Sequence, residues 1–85
     1  MNSWDRLQFL INARLVEGDT YLEAVNYRAT QFGCQLAYLH RVLDGEKPLT
    51  KNLAKEIDEL YQISEDAMAK AARFYSYSDI SQLEH

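Results

Sequence analysis

The chain reads as an all-helical domain, and three observations predict it. Apolar residues recur at the three- and four-residue spacing of a helix in every segment and nowhere alternate as in a strand. Residues that favour helix starts stand at Asn2 or Ser3, Thr20, Thr50 and Ser64. Gly18, Gly33, Gly45 and Pro48 stand where helices would stop. There is no internal repeat and no low-complexity segment.

The first helix is expected from about Ser3 to Val16, with Asp5 suited to its positive end and Trp4, Leu7, Leu10, Ile11 and Leu15 facing inward. Thr20-Tyr-Leu-Glu23 is a capping box, in which the two side chains satisfy two backbone donors that would otherwise be unpaired. It opens a second helix whose apolar stripe is Leu22, Val25, Ala29 and Phe32. A third, short helix covers about Gln35 to Asp44, between Gly33 and Gly45. Cys34, Tyr38, Leu39, Val42 and Leu43 can share its inner face, and Gln35, Ala37, His40, Arg41 and Asp44 its outer one. Pro48 prevents simple continuation, and Thr50 caps a fourth helix to about Tyr61 with Leu53, Ile57, Leu60 and Tyr61 inward. Ser64, followed by Glu65 and Asp66, suggests a fifth helix carrying Ala67, Met68, Ala71, Ala72, Phe74 and Tyr75. Beyond Ser76 the pattern fades into a loose end or a short extra turn.

A length of 85 residues fits one domain, read here as residues 1–82. Leu83-Glu84-His85 reads as the cloning scar before a histidine tag and is left out of the fold. A chain of this size buries only about 60–65% of its unfolded surface, so its core is modest. The hydrophobic fraction of 47% argues against disorder. No apolar run approaches the roughly 18 residues of a membrane span, no signal peptide opens the chain, and one cysteine cannot build a disulfide framework. A cytoplasmic protein is the expectation.

The net charge of −4 is unevenly spread. Residues 1–19 balance to −1, residues 20–55 to +2 and residues 56–85 to −5. The basic middle therefore coincides with the short third helix, and the acid lies in the tail. An acidic protein can still present one positive face.

A short helix capped at both ends by glycine, with an amphipathic helix ahead of it, has the layout of a helix-turn-helix. Residues 24 to about 63 resemble the lambda-repressor-like helix-turn-helix family, also called the Cro or xenobiotic-response-element type. The residues that carry the resemblance are Gly33, the recognition-helix stretch Cys34–Asp44, Gly45-Glu-Lys47-Pro48-Leu49-Thr50, and Leu53–Ile63. Ala29 stands where the family places a small residue that lets the third helix pack close. The resemblance implies a five-helix all-α fold with its helix-turn-helix core at about residues 20–45. It also implies a DNA-binding transcriptional regulator without catalytic activity or cofactor: a phage- or prophage-type repressor, binding a palindromic operator as a homodimer. Three positions depart from the pattern. Arg28 replaces a buried leucine, Leu36 and Ala37 replace the frequent glutamine and serine, and Glu46 replaces a frequent cation.

On that footing each candidate has a role. Gln35 can pair with adenine and Arg41 with guanine in two-pronged geometry, while Leu36 and Ala37 can touch a thymine methyl but cannot hydrogen-bond a base edge. His40 faces the same side and can meet a base or a phosphate. Lys47, Lys51 and Asn52 make a phosphate clamp at the start of the fourth helix. Arg28 reaches the DNA backbone or pairs with a nearby acid. Phe74, Tyr75, Tyr77 and Ile80 either close the core against Trp4 or pair two protomers. Cys34 reads as a small core hydrophobe, and neither a zinc set nor an acid–base pair is visible. The rival reading keeps the fold but binds protein instead of DNA, as an antitoxin, an anti-repressor or a partner subunit.

Overall fold

The computed structural model describes the backbone of residues 1–83 and the side chains of residues 1–70. Four helices follow one another: α1 (Ser3–Val16), α2 (Tyr21–Phe32), α3 (Leu36–Leu43) and α4 (Lys51–Leu83). No strand occurs among the described residues.

Each boundary has a local cause. The Asn2 side chain accepts from the Asp5 amide at 2.8 Å and starts α1. Both bonds of the capping box are present at α2: the Glu23 amide donates to Thr20 Oγ1 at 3.2 Å, and the Thr20 amide to Glu23 Oε1 at 2.9 Å. Thr50 Oγ1 accepts from the Leu53 amide at 3.2 Å and opens α4.

α2 ends at Gly33, whose φ of 67° is the left-handed conformation that costs glycine nothing and any other residue about a kilocalorie. That turn sends the Gly33 amide to the Thr30 carbonyl and the Cys34 amide to the Ala29 carbonyl, so two terminal carbonyls of α2 stay paired. The same pair of bonds closes α1, with Asp19 on the Arg14 carbonyl, and α3, with Glu46 on the Arg41 carbonyl. All three glycines of the chain thus end helices.

α2 is the hub. α1 packs against α2 and α4, α3 against α2, and α2 also meets α4. The core between them holds Leu7, Leu10 and Ile11 from α1, Ala24, Val25, Ala29 and Phe32 from α2, Leu39 and Val42 from α3, and Leu53 and Ile57 from α4. Trp4, Phe9, Tyr38, Leu43 and Leu60 are half-buried around it. Phe9 meets the Tyr61 ring edge-on at 5.2 Å, and Ser3 Oγ and Arg6 both hold the Asp58 carboxylate, at 2.9 and 3.1 Å.

The expected fifth helix does not exist as a separate element. α4 runs unbroken through Ser64 to Leu83, 33 residues in all, and the expected loose end from Tyr77 to Leu83 is part of it. Ser64 can cap a helix only if the chain before it leaves helical geometry, and Gln62 and Ile63 give it no reason to. Gln62 Nε2 instead donates to Asp66 Oδ1 at 3.2 Å, one turn on, bracing the continuous helix. A helix of this length spans about 50 Å, which accounts for the 55 Å long axis of the molecule. Met68 is exposed on it.

Three expected core positions also differ. Leu15, in the last turn of α1, and Leu22, in the first turn of α2, are exposed, Leu22 by 58%; Ala24 takes the buried place near the start of α2. Cys34 is half-buried at the turn rather than enclosed.

Candidate nucleic-acid interface

α3 is amphipathic to its ends. Leu39 and Val42 are completely buried against α2, and Leu36, Tyr38 and Leu43 flank them. Because these residues fix the rotation of an eight-residue helix, the opposite face is held outward: Gln35, Ala37, Arg41 and Asp44 are exposed. Gln35 precedes the first turn and makes no capping hydrogen bond, so its amide is uncommitted within the described residues. Arg41 likewise has no hydrogen bond or ion pair there.

The structure divides the expected site residues into three groups. Gln35, Ala37 and Arg41 lie together on the wet face of α3. His40 stands beside them half-buried, its ring 6.1 Å from that of Tyr21. Tyr21, the first residue of α2 and 48% exposed, belongs to this edge and was not anticipated. A signal was present: Tyr21 lies one helical step before Val25, so it continues the stripe of α2 that faces α3 past the point where the core covers it.

The second group is the loop and the start of α4. Lys47, Lys51, Asn52 and Lys55 are all exposed, but not as one clamp. Lys47 Nζ lies 5.7 Å from the Tyr38 ring centre, and Asn52 lines the cleft that Tyr38 shares with Phe32, Cys34 and Glu56. Lys51 turns the other way, into a shallow cleft with Arg6, Lys55 and Asp58. From Gln35 to Lys55 the exposed charges are four cations, Arg41, Lys47, Lys51 and Lys55, against two carboxylates, Asp44 and Glu46.

The third group is removed from the surface. Arg28 is 7% exposed. Its Nε and Nη2 donate to the Leu10 carbonyl at 3.0 and 2.9 Å, and Nη1 donates to Gln31 Oε1 at 2.7 Å. It therefore meets neither of its expected partners: it does not face solvent toward a nucleic acid, and no carboxylate among the described residues pairs with it. Burial lowers its pKa from the ordinary guanidinium value, and the neighbouring Tyr27 ring, 5.3 Å away, partly offsets this. Leu36 is corrected in the same direction, since it packs half-buried against the core instead of standing out toward a base.

Arg14 is also engaged within the chain, in a partly exposed pair. Its Nε holds Asp19 Oδ2 at 2.9 Å, a bond that raises its pKa, and its guanidinium lies 4.0 Å from the Tyr27 ring. Partial burial raises the Cys34 thiol, which keeps it protonated and poorly nucleophilic. No group of three or more metal-ligating side chains occurs among the described residues, and none of their helices is long and apolar enough to cross a membrane. Phe74, Tyr75, Tyr77 and Ile80 lie outside the described side chains. No family model, curated protein or solved structure matches the chain.

Proposed function

We propose that this chain is a sequence-specific DNA-binding transcriptional regulator of the lambda-repressor-like helix-turn-helix kind, a cytoplasmic phage- or prophage-type repressor that acts as a homodimer on a palindromic operator. The observation that carries this reading is α3. Its inner face is locked to α2, while Gln35, Ala37 and Arg41 stand unpaired in solvent, with Lys47 and Lys51 beyond its C-terminal end. A rigid helix with a free polar edge and cations after it is what major-groove reading asks of a protein. In this reading Gln35 and Arg41 read base edges, Ala37 meets a thymine methyl, and Tyr21, His40, Lys47, Lys51 and Asn52 hold phosphates. Arg28 and Leu36 support the helices that do so. The reading assigns no catalytic residue and no cofactor.

The test is selection of DNA fragments by the purified protein, followed by titration of the selected duplex at several salt concentrations. The expected result is an enriched sequence whose affinity falls with salt, and a Lys51→Ala variant that weakens every duplex alike and lowers the salt slope by about one. Absence of enrichment and of binding at low salt would refute it. A second reading is supported by Asp44 and Glu46 on the same surface and by the missing hydrogen-bonding groups at Leu36 and Ala37. In that case the edge of α3 docks a protein, as an antitoxin, anti-repressor or partner subunit would, and DNA selection returns no sequence.

A further inference from the structure

α1 and α3 both pack on α2, but their backbones do not approach each other. The gap left between them is a cleft of about 190 Å³. Ile11, 3% exposed, makes its floor. Gln8 and Asn12, both exposed, stand one turn apart on the same face of α1. Tyr21, the first residue of α2, and Leu43, the last of α3, close the other sides. Ile11 is part of the core and Leu43 packs against it, so the floor and one wall are held by the same packing that fixes the rotation of α3.

Three features set this cleft apart from ordinary solvated surface. None of its five lining side chains carries a charge, whereas the clefts beside Tyr27, Lys51 and Tyr38 each include at least one charged group. The Gln8 and Asn12 carboxamides make no hydrogen bond among the described residues, so each offers a donor beside an acceptor. The half-exposed Tyr21 ring adds an aromatic wall, which favours a flat ligand. Volume then limits the size. An apolar cavity of about 150 Å³ holds benzene, and pockets for drug-sized molecules begin near about 300 Å³. The cleft takes a single ring system.

We propose that this cleft binds a small neutral heterocycle of the nucleobase kind, laid between Tyr21 and Leu43 with its hydrogen-bonding edge on Gln8 and Asn12. A carboxamide matches a ring edge on which a donor stands next to an acceptor, as the amino group and ring nitrogen do in adenine. A charged ligand finds no counter-ion in the lining. A purely apolar one takes water from two carboxamides and gives them no partner. A sugar attached to the ring stays outside in solvent. A ligand of about ten non-hydrogen atoms binds such a site with a dissociation constant on the order of 1 mM. The site goes beyond the proposed function and needs no DNA reading of α3, although Tyr21 also borders His40 at the edge of that helix.

The probe is adenine, titrated into the isotope-labelled full chain and followed by NMR. Saturable shifts are expected at the side-chain amides of Gln8 and Asn12 and at the backbone amides of Ile11, Tyr21 and Leu43. Purine, which keeps the ring and lacks the amino group, should bind several-fold more weakly. Asn12→Ala, an exposed change within a helix, should weaken adenine by about tenfold with helical content unchanged by circular dichroism. Equal affinity for adenine and purine, unchanged affinity in Asn12→Ala, or no saturable shift at these residues up to about 5 mM adenine would each overturn the site. Adenine binding of this pattern by a chain that selects no DNA supports the site and counts only against the DNA reading.

Discussion

The positive charges before Gly33 and those after it do opposite work. Arg6, Arg14 and Arg28 are engaged by groups of the same molecule, the first two by Asp58 and Asp19 in partly exposed pairs and Arg28, buried, by the carbonyl of Leu10. Arg41, Lys47, Lys51 and Lys55 have no ion pair among the described residues and stand in solvent. Formal charge therefore misstates available charge in both directions. The chain is acidic overall, and a third of its nine cations are tied up in the first two helices, yet the surface from Gln35 to Lys55 keeps an excess of two positive charges. Substitutions in the first group should change stability and leave recognition alone; those in the second should do the reverse.

The largest effect is expected at Arg28. Arg28→Ala removes three hydrogen bonds from a charged donor and opens a cavity beside α1, which should cost about 2–4 kcal/mol in urea unfolding. Arg28→Met separates the two causes. A buried guanidinium without a carboxylate is expensive to desolvate, and the Leu10 carbonyl keeps its own helical partner, the Arg14 amide, when the guanidinium goes. Methionine fills most of the volume and should lose less than half as much as alanine. If Arg28→Met is as destabilising as Arg28→Ala, the hydrogen bonds rather than the packing hold α2 to α1.

Arg41→Ala is the mirror experiment. The side chain is exposed and makes no hydrogen bond or ion pair among the described residues, so unfolding free energy should move by no more than about 0.5 kcal/mol, as for other surface positions. Affinity for a selected duplex should fall by about 1–3 kcal/mol, with discrimination lost at one or two base positions. Equal loss on all sequences would make Arg41 a phosphate contact, and no loss would favour the protein-docking reading of α3.

What was legible in the sequence divides along the same line between local and non-local causes. α1, α2 and α3 begin and end within a residue or so of expectation because the signals are local: Asn2 and the Thr20–Glu23 box start α1 and α2, the glycines at 18, 33 and 45 end all three helices, and α3 begins just after Gly33 without a side-chain cap. The outer face of α3 followed from its inner one. The fate of Arg28 did not, because its partner is a backbone carbonyl 18 residues away, which leaves no trace in side-chain identity. The expected start of a fifth helix failed for a related reason. Ser64-Glu65-Asp66 has the composition of a first turn, but composition permits a cap and only a break in the preceding backbone makes one. Lys51 and Asn52, neighbours in sequence, face different clefts because successive helical residues point about 100° apart.

The smallest effect, and the sharpest check on treating the first three arginines as one group, concerns Arg6. It resembles Arg28 in being turned inward: it pairs with Asp58, which also accepts from Ser3 Oγ, and its guanidinium lies 5.2 Å from the Tyr61 ring. Yet the Arg6 and Asp58 side chains are 31% and 38% exposed, so water screens the pair and holding two long side chains in place costs entropy. A double-mutant cycle with Arg6→Ala and Asp58→Ala should return a coupling of about 0.2–1 kcal/mol that shrinks with added salt. A coupling near that of a buried network, insensitive to salt, would place Arg6 with Arg28 as a structural cation. The expected weak, screened coupling instead leaves Arg6 partly available beside Lys51 and Lys55. Charge commitment would then grade with burial along the chain: complete at Arg28, partial at Arg6, and absent at Arg41.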